Sequence, residues 1–114
     1  MDKIIESIYR MIIELSDLSL QRKLWLNEDN DTRLISSYTE LMCSLFDDFN
    51  FDDFIDNKAS KIGLSNAAIF ELNNLRKLLN NYNEKDSDEE IIKDPKWKKV
   101  VERAKIAIRE WDKS

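Results

Sequence analysis

Residues Asp94–Trp111 read DPKWKKVVERAKIAIREW. Asp94 is a helix N-cap residue, and Pro95 stands where the first helical turn has no use for an N–H. Trp97, Val100, Val101, Ala104, Ile108 and Trp111 then recur at spacings of three and four. That period predicts a helix with one apolar stripe, with Trp97 and Trp111 in the core. Ile106 falls on the side opposite Trp97, either as an isolated exposed side chain or as one edge of a second contact. The polar face carries Lys96, Lys98, Lys99, Arg103, Lys105 and Arg109, interrupted by Glu102 and Glu110. These bases complement the helix dipole and are expected to attract an acidic middle segment within the same molecule.

The rest of the chain repeats this grammar. Ile4, Ile5, Ile8, Met11, Ile12 and Leu15 form a first stripe. Ser16-Asp17 caps a short helix through LSLQRKLWL, and NEDNDTRL reads as a polar loop. Ser37-Tyr38-Thr39-Glu40 fits a capping box ahead of Leu41, Met42, Leu45, Phe46 and Phe49. Asn50 caps a further short helix with Phe51, Phe54, Ile55, Ala59 and Ile62 inward. The sole glycine, Gly63, stands where a helix ends in the left-handed conformation. Ser65 opens a helix whose stripe is Ala68, Leu72, Leu75, Leu79 and Tyr82. NNYNEKDSDEE reads as a loop, and residues 83–93 as the weakest joint. The expected fold is all-α: a compact single-domain bundle of five to six helices over residues 1–114.

Composition agrees. Of 114 residues, 42% are hydrophobic and 36% charged, which places the chain among globular proteins. One Gly and one Pro are too few for the tight turns of a sheet-rich fold. A chain of this length buries roughly two-thirds of its unfolded surface, enough for one core. No apolar run approaches the ~20 residues of a membrane span. MDKIIESIYRM is amphipathic and carries acids, unlike a secretory signal. A single Cys43 cannot form an internal disulfide, which points to a cytoplasmic setting.

Formal net charge is −5. This disfavours nucleic acid and anionic membrane as partners and suits a basic protein. Residues 27–57 hold nine acids and one base, Arg33. Their densest part is Phe46–Asn57, FDDFNFDDFIDN. Its phenylalanines fall on inner stripes, and Asp47, Asp48, Asp52, Asp53 and Asp56 remain outside. Asp52 and Asp56 are a like-charged i,i+4 pair with no lysine on that face, so an uncompensated patch is expected. Two readings stand: a solvated face with acids favoured at a helix start, and an acidic docking surface. The loop acids Glu28, Asp29 and Asp31 form a second such area. Trp25 beside them is either core or an interface anchor.

Other chemistry is poorly served. There is no histidine, which removes the usual base near neutral pH and the usual zinc ligand. Cys43 has no base near it in sequence. One glycine cannot build a phosphate-cradling loop. FDDFNFDDFIDN, DNDTRL and DSDEEI all lack the glycine and register of a calcium loop. Paired carboxylates can do glycosidic acid–base work, but these acids fall on helix exteriors. No catalytic residue, metal, cofactor or small-molecule substrate is therefore expected.

Four stretches together, LSDLSLQRKLW (15–25), FDDFNFDDFI (46–55), GLS with LRKLLNNY (63–65 and 75–82) and DPKWKKVVERAK (94–105), carry a further signal. Their layout resembles the small helical immunity proteins of bacterial contact-dependent growth inhibition and related polymorphic toxin systems. The resemblance spans residues 8–110. It implies a non-enzymatic cytoplasmic antitoxin that binds one cognate toxin domain, often a nuclease, and blocks its active site or substrate surface. It carries over no contact residues. The alternative is an adaptor or regulatory module for another basic protein partner.

Overall fold

The computed structural model describes residues 2–114. It is helical, with no strand among the described residues. α1 spans Lys3–Leu15, α2 Leu18–Leu26, α3 Tyr38–Cys43, α4 Phe51–Asp53, α5 Asn66–Asn81, α6 Asp88–Lys93 and α7 Pro95–Asp112. The radius of gyration is 13.7 Å, close to the ~13 Å of a compact domain this size.

Each helix start is held by a side chain that accepts a backbone N–H: Asp2, Asp17, Ser37, Asn50, Ser65, Ser87 and Asp94. Polar caps thus explain where the helices begin. The box expected at Ser37 is made in one direction only, Glu40 N–H to Ser37 Oγ at 3.0 Å. Gly63 has φ +92°, the left-handed stop expected of it.

Two expectations fail in instructive ways. Among the described residues the helices number seven rather than the expected five to six, because α6 forms inside the stretch 83–93, the expected weakest joint. Ser87 Oγ caps it through Glu90 N–H at 3.2 Å, three acids fill its first turn, and Ile91 and Ile92 are both buried. Six residues are too short to show a period, so only the cap and the Ile-Ile pair announced it.

The second concerns residues 44–58. α3 continues into a π-helical turn, Ser44–Asp48, and α4 into another, Phe54–Lys58. Phe49 N–H donates to Ser44 C=O at 2.9 Å and Ala59 N–H to Phe54 C=O at 2.8 Å, each skipping five residues. The wider turn rotates everything beyond it. Phe49 is therefore half-buried and Ile62 is 42% exposed rather than core; Met42, ahead of the first π turn, and Phe46, within it, are half-buried at the edge of their stripe. Ile4 is also exposed, at the open end of α1.

α5 and α7 share the most extensive helix–helix interface, and α1 packs on α7. The opening stretch is thus the axis of the molecule: Trp97, Val100, Val101, Ala104, Ala107 and Trp111 are all buried. Trp97 sits among Trp25, Tyr38 and Tyr82, with ring centroids 5.9, 5.6 and 5.1 Å away. Phe54 stacks on Trp111 at 5.5 Å and 14°.

Candidate acidic interface

The stretch 46–57 folds into a corner. Asn50 stands at its apex with φ 48° and ψ 65°, and its side chain caps α4. Asn tolerates this left-handed conformation better than most residues. Phe51, Phe54 and Ile55 are buried and carry the corner into the core. The acids are left outside: Asp47, Asp48, Asp52 and Asp56 are exposed, and Asp53 is half-buried.

The expected lack of compensation is corrected. Arg76, reaching from α5, places Nη1 3.2 Å from Asp52 and Nη2 2.9 Å from Asp56. A single guanidinium fork therefore spans the like-charged pair, and Nη2 also donates to Asn73 Oδ1. The hydrogen bond from Arg76 holds the Asp56 carboxyl below its ordinary range and raises the guanidinium in turn. Lys58 lies 3.6 Å from Asp53, which also accepts from Asn57 Nδ2 at 2.7 Å. Sequence proximity could not reveal Arg76, twenty residues beyond Asp56. Asp47 and Asp48 join no ion pair among the described residues.

The attraction expected between the basic tail and the acidic middle is not made as ion pairs either. On α7, Arg103 pairs with Glu71 of α5 at 2.7 Å, and Lys105 pairs with its neighbour Glu102.

The second acidic area is the loop 27–37. Glu28, Asp29 and Asp31 are exposed, and Asp31 lies 3.8 Å from Lys23. Asn27, Asp29 and Arg33 all have positive φ, of 55°, 46° and 64°. The loop is nevertheless tied down. Asn30 Oδ1 accepts from Thr32 N–H and Oγ1, at 3.0 and 2.6 Å, and Ser36 N–H donates to Leu24 C=O at 2.9 Å. Trp25 is turned inward with 8% exposure, leaving little surface for a partner. Its indole N–H donates to Glu14 Oε2 at 2.9 Å, which also accepts from Ser36 Oγ at 3.0 Å.

No cluster of three or more His, Cys, Asp or Glu side chains is placed to hold a metal among the described residues. Cys43 is exposed and unpaired. A crevice of about 230 Å³ between α1 and residues 58–62 is lined by Asp2, Ile4, Ile5, Ile8, Phe49, Phe54 and Ile62, with Lys58 and Lys61. None of the corner acids Asp47, Asp48, Asp52, Asp53 and Asp56 enters that lining. No helix is long and apolar enough to cross a membrane among the described residues.

Comparison with protein-family models, with curated proteins and with solved structures gives no match.

Proposed function

We propose that this protein is an immunity protein that binds a cognate bacterial toxin domain and neutralises it through an acidic surface. The observation that carries this is the concentration of exposed acids on two hydrogen-bonded, well-seated elements. Asp47 and Asp48 stand without a cation beside Asp52 and Asp56, and Glu28, Asp29 and Asp31 stand on the loop. A nuclease toxin needs a basic surface to engage phosphates. An acidic protein competes for that surface, and charge complementarity speeds its arrival. The resemblance of the four stretches to immunity proteins supplies the biological setting, a cytoplasmic antitoxin without cofactor. Acid–base catalysis is served less well: Asp56 is shifted away from the range of a general acid at neutral pH.

The test is co-expression with the C-terminal domain encoded immediately upstream, scored by survival and by a one-to-one complex on gel filtration. Survival with a complex supports the reading. Death without a complex, or no toxin gene upstream, overturns it in favour of an adaptor for another basic protein.

A further inference from the structure

Leu34 and Ile35 are 64% and 76% exposed, adjacent in sequence, and lie on the same loop as Glu28, Asp29 and Asp31. Of the other large apolar side chains in the open, Ile4, Ile62 and Phe70 are each isolated in sequence. Water-exposed aliphatics are ordinary singly, but a neighbouring pair on a loop that also carries three exposed acids and a single base, Arg33, has the composition of an interface centre with a charged rim. The pair is also held in place. Leu34 N–H donates to Thr32 Oγ1 at 3.1 Å, and Leu34 C=O accepts from Asn30 Nδ2 at 2.6 Å. A segment ordered before binding loses less entropy on docking.

We propose that Leu34 and Ile35 are the apolar centre of the contact with a basic protein partner, with Glu28, Asp29 and Asp31 as its charged rim. This rests on the toxin-binding reading and goes beyond it by choosing the loop over the 46–57 corner as the centre. Three of the corner's five acids, Asp52, Asp53 and Asp56, already face Arg76 and Lys58, against one of the loop's three, Asp31 beside Lys23, and no large apolar side chain of the corner is among the exposed ones. The rim also selects the occupant. A second copy joined by a two-fold contact would bring the same acids face to face. An anionic membrane would be repelled by them. A cationic surface with an apolar pocket satisfies both features.

The experiment compares wild type, L34S/I35S and F70S in titrations against the purified upstream-encoded toxin domain. Circular dichroism and Tm establish that each variant is folded, and L34Q/I35Q replaces the serine pair if that one is not. The expected result is a Kd raised roughly a hundredfold or more by L34S/I35S, mostly through faster dissociation, as for hot-spot anchors. F70S removes an exposed apolar side chain of α5 outside both acidic areas and is expected to change Kd by less than about threefold. Wild-type affinity in folded L34S/I35S overturns the proposal while leaving the toxin-binding reading intact. No binding or protection by wild type overturns both. A wild-type dimer, or sedimentation with phosphatidylglycerol vesicles, that L34S/I35S abolishes also overturns it.

Discussion

The indole N–H of Trp97 donates to Gln21 Oε1 at 2.9 Å, joining α7 to α2 across 76 residues of sequence. Gln21 is fully buried, and its Nε2 donates to the carbonyls of Glu14 and Leu15 at 2.9 and 3.1 Å, at the C-terminal end of α1. One amide thus ties three helices and satisfies carbonyls that α1 leaves over at its end. Q21L is expected to lose about 2–4 kcal/mol, since it strands the indole N–H and the Leu15 carbonyl in the interior. Denaturant unfolding measures this. A cycle with W97F should show coupling between the two sites, and strict additivity would mean the bond contributes nothing.

The π turns predict unequal costs for two phenylalanines on successive stripes. Phe54 is 1% exposed and stacked on Trp111, so F54A should cost about 3–5 kcal/mol. Phe49 is only half-buried, beyond the first π turn, and F49A should cost roughly 1–2 kcal/mol. Equal losses by chemical denaturation would mean that the helical phase is not rotated as described.

Residues 88–93 are tested by Ile92, which is 1% exposed. I92A should destabilise by about 2–5 kcal/mol, as at any well-packed aliphatic site. A loop would lose almost nothing. Amide hydrogen exchange should likewise show protection at Ile92 and Lys93, which fall in α6.

Asp94 gives a pH dependence with a definite sign. The Tyr82 hydroxyl donates to its Oδ2 at 2.8 Å and Lys96 N–H to its Oδ1 at 3.0 Å, and the first of these lowers its carboxyl most below the ordinary 3.8. A depressed carboxylate contributes stability that is present above the ordinary value and lost as pH falls through the folded one. The Tm advantage of wild type over Y82F should therefore be constant above about pH 5 and shrink at lower pH. Burial, and then the bond to Asp94, raises the Tyr82 hydroxyl above its ordinary 10.0. The same variant should thus lose less stability than wild type when pH rises past that value. Parallel Tm curves from acid to alkali would remove the Tyr82–Asp94 bond from the account.

Much of the fold was legible because helix grammar is local. Asp17, Ser37, Asn50, Ser65 and Asp94 are caps that need only the next few N–H groups, and the stripes of α1, α5 and α7 need only a 3.6-residue period. Ile4 continues a stripe past the point where a partner helix covers it, and Ile62 lies beyond the π turn Phe54–Lys58, which shifts the helical phase. α6 was missed because one turn and a half carries no period. Leu34 and Ile35 drew no notice for the opposite reason: they fit no stripe, and only their exposure gives them meaning.

The sequence by itself determined that the chain is all-α, where most helices begin, which faces turn inward, and that acids gather between residues 27 and 57. Each of these depends on interactions within a few residues. Only the tertiary structure decided which charges are left without a partner. Arg76 comes to Asp52 and Asp56 from another helix, Trp25 turns toward Glu14, and Trp97 finds Gln21 across the molecule. Coulomb attraction and hydrogen bonding act through space over a few ångströms, so their partners are fixed by packing and not by position along the chain.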